Sequence, residues 1–304
     1  MNYAIIGFGK MGKLFQEVMK ERGMNIIDIV DPHVNGMSNW NHNRLRDADL
    51  AFAFTPPGTG RDVAQECMRA GCDVVLGTTE FCELYDGSED IEKLSALHAD
   101  AVTWGKRLFY AANFSPAVNA FFRKIKDISP EMAQEGYQPF VVEVHHKGKT
   151  NDVSGTAKTL GRLIMAGYES VGQTFDGLDF DIERAIWPEG FEEYQLDLNA
   201  DPDMPDWDYI ALTREVRKKV AEARTLRSGR LPLVAVRFGD VAGIHQVYFM
   251  DERSGDIVET FREVSQGRRD YVDGALDDVP ILLEQAPGVY NRNLRVGLPV
   301  AEDE

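Results

Sequence analysis

Glycines at positions 7, 9 and 12 constrain this chain more than any other feature. They lie between an apolar run, Tyr3 to Ile6, and an amphipathic stretch, Lys10 to Arg22. A strand that turns at once into a helix needs a residue without a Cβ at the tight turn. It needs a second where a pyrophosphate approaches the backbone, and a third where the helix packs on the strand. Gly7-Phe8-Gly9-Lys10-Met11-Gly12 meets all three requirements in order. The helix that follows carries Met11, Leu14, Phe15, Val18 and Met19 at helical spacing. Its N-terminus offers unpaired N–H groups and the positive end of the dipole to phosphates. Asp31 closes the next apolar run, Ile26 to Val30, and stands 19 residues after Gly12. A carboxylate there suits the hydroxyls of an adenosine ribose. Pro32-His33 follows, with no Arg to meet a 2′-phosphate, which favours NADH over NADPH; Lys10, in the glycine loop, is the basic group that could reach a phosphate.

The same alternation continues. Asp49 to Phe54 reads as a strand closed by Thr55-Pro56-Pro57-Gly58. Arg61 to Ala70 reads as a helix ending at Gly71, and Asp73 to Leu76 as a strand. Ile91 to His98 is a helical piece, with Val102 to Trp104 as the next short apolar run. Strands alternating with helices predict an α/β fold, here an N-terminal doubly wound parallel sheet of the Rossmann type. From about Asn113 the texture changes. Pro116 to Ile128 and Ala157 to Met165 read as helices. Val141 to His145, and then Leu233 to Arg237, Gln246 to Met250 and Ile257 to Val264, read as strands, the last three as an antiparallel set. A second, mixed α/β domain is expected. The division reads as residues 1–114 plus 268–304 for dinucleotide binding and 115–267 for substrate binding and oligomerisation.

An acidic insertion, about 173–222, interrupts that second domain. Thr174 to Asp208 holds twelve acidic residues against one basic, and Arg214 to Arg230 holds seven basic against two acidic. Charge blocks of this kind face water or pair with each other. The whole chain carries 33 basic and 50 acidic side chains, a net charge of −17. That excess argues against a general nucleic-acid binder, which needs Lys and Arg at phosphates. The cysteines Cys67, Cys72 and Cys82 have no CxxC spacing, so neither a disulfide framework nor a zinc pattern is expected. No apolar run approaches the length of a membrane span. The chain opens directly on a strand-like segment, with no basic segment and apolar stretch ahead of it, so a cytoplasmic protein is expected.

The densest chemistry lies in Glu143-Val144-His145-His146-Lys147-Gly148-Lys149, followed by Ser154-Gly155-Thr156 at a helix start. Histidines, lysines and a helix N-terminus converging on one place make a pocket for an anion such as a carboxylate. A histidine there can also donate a proton near neutral pH. Adjacent residues of a strand face opposite ways, so His145 and His146 take different jobs if the strand runs through both. Ser154 reads equally well as an N-cap. A metal site would need a third ligand, and none stands at suitable spacing.

Taken with its neighbours, this segment resembles the 4-hydroxy-tetrahydrodipicolinate (dihydrodipicolinate) reductase family. Glu143 to Thr156 is similar to the family signature Glu-x-His-His-x-x-Lys…Ser-Gly-Thr. Ala53 to Pro57, Gly77-Thr78-Thr79, Ala111 to Ser115, Gly239 to His245, and Arg268 with Tyr271 resemble further family segments. The resemblance implies NAD(P)H-dependent reduction of a dicarboxylate ring in lysine and diaminopimelate biosynthesis, in a homotetramer. It implies a Rossmann domain whose last helix comes from the C-terminus. It implies His145 as general acid and Lys149 as the second catalytic group. His146, Lys149, Ser154, Gly155 and Thr156 would bind the substrate carboxylates. Gly7 to Gly12, Asp31, Phe54, Thr55, Gly77, Thr78, Thr79, Ala112, Asn113 and Phe114 would line the cofactor. Two other readings fit the same plan: a sister dehydrogenase acting on another amino or imino acid, and an inert nucleotide-sensing protein.

Overall fold

The computed structural model describes residues 1–34, 45–56, 58–78, 88–146, 153–179, 229–237, 242–251, 254, 257–265, 267–292 and 296–297. Thr79, Lys149, most of the acidic insertion (180–222) and most of the basic run after it lie outside them. The chain divides into two compact units, residues 1–119 with 268–304, and residues 120–267.

The first unit begins with β1 (Asn2–Ile6), α1 (Lys10–Glu21), β2 (Asn25–Val30) and β3 (Leu50–Ala53). It continues with α2 (Gly60–Ala70), β4 (Asp73–Leu76), α3 (Ser88–Trp104) and β5 (Arg107–Tyr110). Its sheet runs β12-β11-β5-β4-β3-β1-β2, where β11 (Gly288–Asn291) and β12 (Val296–Gly297) come from the C-terminal end. All neighbours pair in parallel except β11 with β12. The order reverses at β1, with β2 on one side and β3 on the other. At such a switch point the carboxyl ends of the strands leave a crevice for a ligand, and the glycine loop follows β1 there.

Alternation along the strands builds two cores. Ala4, Ile6, Val74 and Leu76 face one side, with Ala64, Cys67 and Met68 of α2 and Leu97 and Ala101 of α3. Ile5, Phe52 and Val75 face the other, with Phe15, Val18 and Met19 of α1. That second face is completed by the C-terminal segment. Val272, Ala275 and Leu276 come from one helix (Arg269–Asp277), and Val279 and Leu282 from a short one (Val279–Leu283). The resemblance implied one helix from the C-terminus; the segment supplies two helices and the strand β11.

One expectation for this unit needs correction. Val102 to Trp104 is the last turn of α3, not a separate run, and Val102 is half exposed. The strand is Arg107–Tyr110, after Gly105 ends the helix with φ +64°.

The second unit contains most of α4 (Pro116–Gln134), then β6 (Tyr137–His145), α5 (Gly155–Glu169), β7 (Leu178–Asp179), β8 (Leu231–Arg237), β9 (Gly243–Asp251) and β10 (Ile257–Ser265). Its sheet order is β10-β9-β6-β8-β7. β9 lies antiparallel to both β6 and β10, as its place in an antiparallel set required. β8 lies parallel to β6, so the three strands are not one antiparallel set. The sheet is therefore mixed, and α5 packs on β6, β8 and β9.

Candidate active site

Backbone geometry at the glycine loop follows the role of each residue. Gly7 has φ +90°, and a Cβ there would lie 2.3 Å from the Phe54 carbonyl oxygen. A Cβ on Gly12 would lie 2.0 Å from the Gly7 carbonyl oxygen, so α1 rests directly on the turn. A Cβ on Gly9 would meet no protein atom within 4 Å. The space over Gly9 is thus open. The first turn of α1 has no side-chain cap and no acidic residue. These features fit a dinucleotide's pyrophosphate. Lys10 is exposed at the helix start, Met11 is half-buried and Phe8 is buried.

Asp31 shows a second use of its carboxylate. Oδ2 accepts the Phe8 N–H at 2.7 Å and Oδ1 accepts the His33 N–H at 3.0 Å. It holds the glycine loop in place, while each oxygen keeps lone-pair capacity for a ribose hydroxyl. Phe54 stacks on Phe15, ring centroids 4.3 Å apart. Its ring and the Tyr271 hydroxyl lie where a Cβ on Gly77 would go. Thr78 donates to the Thr55 carbonyl at 3.3 Å, and the Thr59 hydroxyl donates to the Thr55 hydroxyl at 2.8 Å. Thr55 and Thr78, distant in sequence, are therefore neighbours. In the segment after β5, Ala112 and Phe114 are buried, and Asn113 Oδ1 accepts the Ser115 N–H at 2.9 Å. Ser115 hydrogen-bonds Asp270 of the C-terminal helix, a contact the sequence reading did not identify.

In the second unit the strand β6 ends at His145, so His146 lies beyond it and the strand does not run through both. Glu143 and His145, two residues apart, share a face. Glu143 pairs in register with His245 of β9. Glu143 is fully buried, and its Oε2 accepts the Ser154 N–H at 3.0 Å and lies 3.5 Å from His145 Nε2. His145 Nδ1 lies 3.0 Å from the Ala242 carbonyl oxygen. Ser154 caps α5, its hydroxyl accepting the Ala157 N–H at 3.2 Å, and that hydroxyl also meets His245 Nε2 at 3.3 Å. The N-cap reading of Ser154 is thus realised. Gly155 and the buried Thr156 open the helix beside it. Gly243 makes room for the pair of rings, since a Cβ there would lie 3.0 Å from His145 and 3.4 Å from His245.

Glu143, His145 and His245 bring one ligand atom each to within 4.8 Å of one another. His245, remote in sequence, thus joins Glu143 and His145 through space. These donors are engaged with one another and with backbone groups, which suits a proton-holding network. Glu143 and His245 are the residues the sequence reading left out of the site. The signal for Glu143 was its period-2 relation to His145; His245 required the register of β9.

Burial alone would raise the Glu143 carboxyl. Its close contact with His145, the charges of His145 and His245 and the Ser154 N–H outweigh burial and bring it down to about 2, from an ordinary 4.5. A lowered carboxyl stabilises the fold above its unfolded value and loses that contribution as pH falls toward its folded value. Melting temperature should therefore fall between pH 4.5 and pH 2, and fall less steeply in Glu143→Gln. Parallel slopes for the two proteins would contradict this.

A glycine loop at the switch point of a doubly wound sheet, joined to a mixed-sheet unit that presents a pinned histidine beside a helix start, defines a two-domain nicotinamide-dependent oxidoreductase. Family models place it further. The model for the dihydrodipicolinate reductase N-terminus matches residues 1–114 and that for its C-terminus matches residues 117–293, and the chain belongs to that family. It is 27% identical to the 4-hydroxy-tetrahydrodipicolinate reductase of Cupriavidus necator over an alignment of 323 residues, covering 98% of this chain and 100% of that one. It is 31% identical to the enzyme of the same name from Christiangramia forsetii over 168 residues, 54% of this chain and 64% of that relative. The fold is similar to that of a dipicolinate-bound dihydrodipicolinate reductase from Paenisporosarcina sp. TG-14. The TM-score is 0.59 at 17% identity, covering 97% of this chain and 99% of that one. Among the described residues no helix is long and apolar enough to cross a membrane.

Proposed function

We propose that the protein reduces 4-hydroxy-tetrahydrodipicolinate to tetrahydrodipicolinate with NADH or NADPH, in the cytoplasm, on the route to diaminopimelate and lysine. The observation that carries this reading is the Glu143 carboxylate, which binds the Ser154 N–H at the start of α5 and stands beside His145. It ties a candidate proton donor to a helix N-terminus suited to a carboxylate. A bound nicotinamide would supply a hydride; loss of the 4-hydroxyl together with a C3 hydrogen, as water, leaves the conjugated ring whose C4 accepts it. His145 donates the proton that offsets the negative charge developing on the ring. Ser154, Gly155 and Thr156 orient a substrate carboxylate, with His146 and Lys149 as the cationic partners. Gly7, Gly9 and Gly12 admit the pyrophosphate, Asp31 holds the ribose, and the segments at Phe54-Thr55, Gly77-Thr78-Thr79 and Ala112-Asn113-Phe114 line the nicotinamide end. The second unit forms the contacts of a homotetramer.

The test is the decrease in NADH or NADPH absorbance with freshly generated substrate. Turnover supports the reading. Turnover only with another imino acid makes this a sister dehydrogenase, and absence of turnover with any makes it a nucleotide-binding protein without catalysis.

Asp31 decides cofactor choice in this reading. Its carboxylate accepts from ribose hydroxyls and repels a 2′-phosphate, with no neighbouring Arg to offset the repulsion. Asp31→Ala should weaken NADH about tenfold. NADPH should weaken less, because loosening at Phe8 is offset by lost repulsion. A wild type that strongly prefers NADPH, or equal losses for both cofactors, would contradict the assignment.

A further inference from the structure

Resting on the reading of His145 as proton donor, we propose that Glu143 is the positioning residue that keeps His145 charged with the proton it delivers. What each ring nitrogen faces decides which form of the ring is favoured. Nδ1 lies 3.0 Å from the Ala242 carbonyl oxygen, which has no hydrogen to give, so Nδ1 is the donor. A singly protonated ring would then turn the lone pair of Nε2 toward the Glu143 carboxylate, 3.5 Å away. Two electron-rich atoms would face each other. A second hydrogen on Nε2 converts that repulsion into a charge-assisted contact. The surroundings therefore accept the doubly protonated ring and oppose the neutral one.

The carboxylate is built to stay ionised at this place. It is fully buried, so only its partners stabilise its charge. The Ser154 N–H at 3.0 Å is one partner, delivered by the start of a 15-residue helix whose dipole is positive at that end. The ring orientation is fixed as well: Ala242 holds one edge, and His245 meets the ring edge-on, centroids 5.3 Å apart and planes at 70°. Among the described residues, the titratable groups that face His145 are Glu143 on its own strand and His245 on β9. Arg237 is its register partner on β8. His245 would work against the effect if it were charged. The alkaline limb is where Glu143 acts.

The consequence is a proton donor that stays loaded above the pH at which a free imidazole, of pKa about 6.5, has lost its proton. Glu143→Gln keeps the shape and removes the charge. Its alkaline limb of kcat/KM should move down by about one pH unit, with turnover near pH 8 falling about tenfold. Near pH 6 it should approach wild type, and KM for NADH should not change. Glu143→Asp should restore part of the limb. A uniform loss at every pH, or a change confined to NADH affinity, would make Glu143 a structural residue and overturn the proposal.

A second measurement needs neither a folded Glu143 variant nor a known substrate. Imidazole nitrogen shifts of the ¹⁵N-histidine-labelled wild type can be assigned with His145→Gln and followed against pH. The proposal expects the His145 ring to remain doubly protonated at pH 7.5; a neutral ring there overturns it, even if the protein proves inactive on the proposed substrate. Chelation with EDTA is the third arm. Activity and the His145 signal should survive it. Loss on chelation with recovery on adding Zn²⁺ would make Glu143, His145 and His245 a metal centre instead.

Discussion

His145→Gln should lower kcat by about 10²–10⁴-fold, the range over which a positioned general acid acts. KM for the dicarboxylate should change far less, because the residues proposed to hold its carboxylates lie on α5 and in the segment after β6. Glutamine keeps a hydrogen-bonding group near Ala242 and Glu143, so the network that ties β6 to α5 is perturbed less than by alanine. Stopped-flow reduction at saturating substrate separates chemistry from release. A hydride-transfer rate within threefold of wild type would remove His145 from the chemistry. The residual rate in the variant should also lose its alkaline limb, since the group responsible for it is gone.

The second large effect is expected at the glycine loop, and it separates packing from binding. In Gly12→Ala the new methyl would sit 2.0 Å from the Gly7 carbonyl oxygen, a backbone atom that cannot rotate away. Either α1 moves off β1 or the turn opens. Overpacking of this kind costs on the order of 3 kcal/mol, which for a chain of this size lowers the melting temperature by roughly 10 °C. NADH affinity should fall with it. Gly9→Ala is the informative contrast. Its backbone, φ −74°, is open to any residue, and its methyl would meet no protein atom within 4 Å. Stability should therefore stay near wild type while NADH binding, measured by fluorescence titration or calorimetry, weakens about tenfold or more. If Gly9→Ala bound NADH as well as wild type, the loop would not be the pyrophosphate site, whatever Gly12→Ala did.

These residues also show why some of the molecule could be read from the chain and some could not. The turn after β1 was legible because its requirements are local: Gly7, Gly9 and Gly12 each answer a steric demand set within a few residues. The same holds for Ser154, whose role as a cap depends on Ala157 three positions on. Val102 to Trp104 stands apart as an apolar run only because Val102 and Trp104 look apolar on their own. Trp104 stands at helical spacing from Leu97 and Ala101, Val102 falls on the exposed side, and that helix runs until Gly105.

Other features have no local cause. β8 pairs parallel to β6 while β9 pairs antiparallel to it, and strand direction depends on where a long connection returns, not on strand composition. Glu143 and His145 were adjacent on a strand face in any reading. That His245, 100 positions after His145, lies against them follows only from the register of β9 on β6. Likewise Asp270 reaches Ser115 only because the C-terminal segment returns to cover the first sheet. The sequence by itself determined the glycine turn, the helix caps, the alternating cores and the residue types that can move a proton. The tertiary structure decided which carboxylate faces which imidazole. Hydrogen bonds and charges act over a few ångströms, and only the pairing of strands remote in sequence brings those groups within that range.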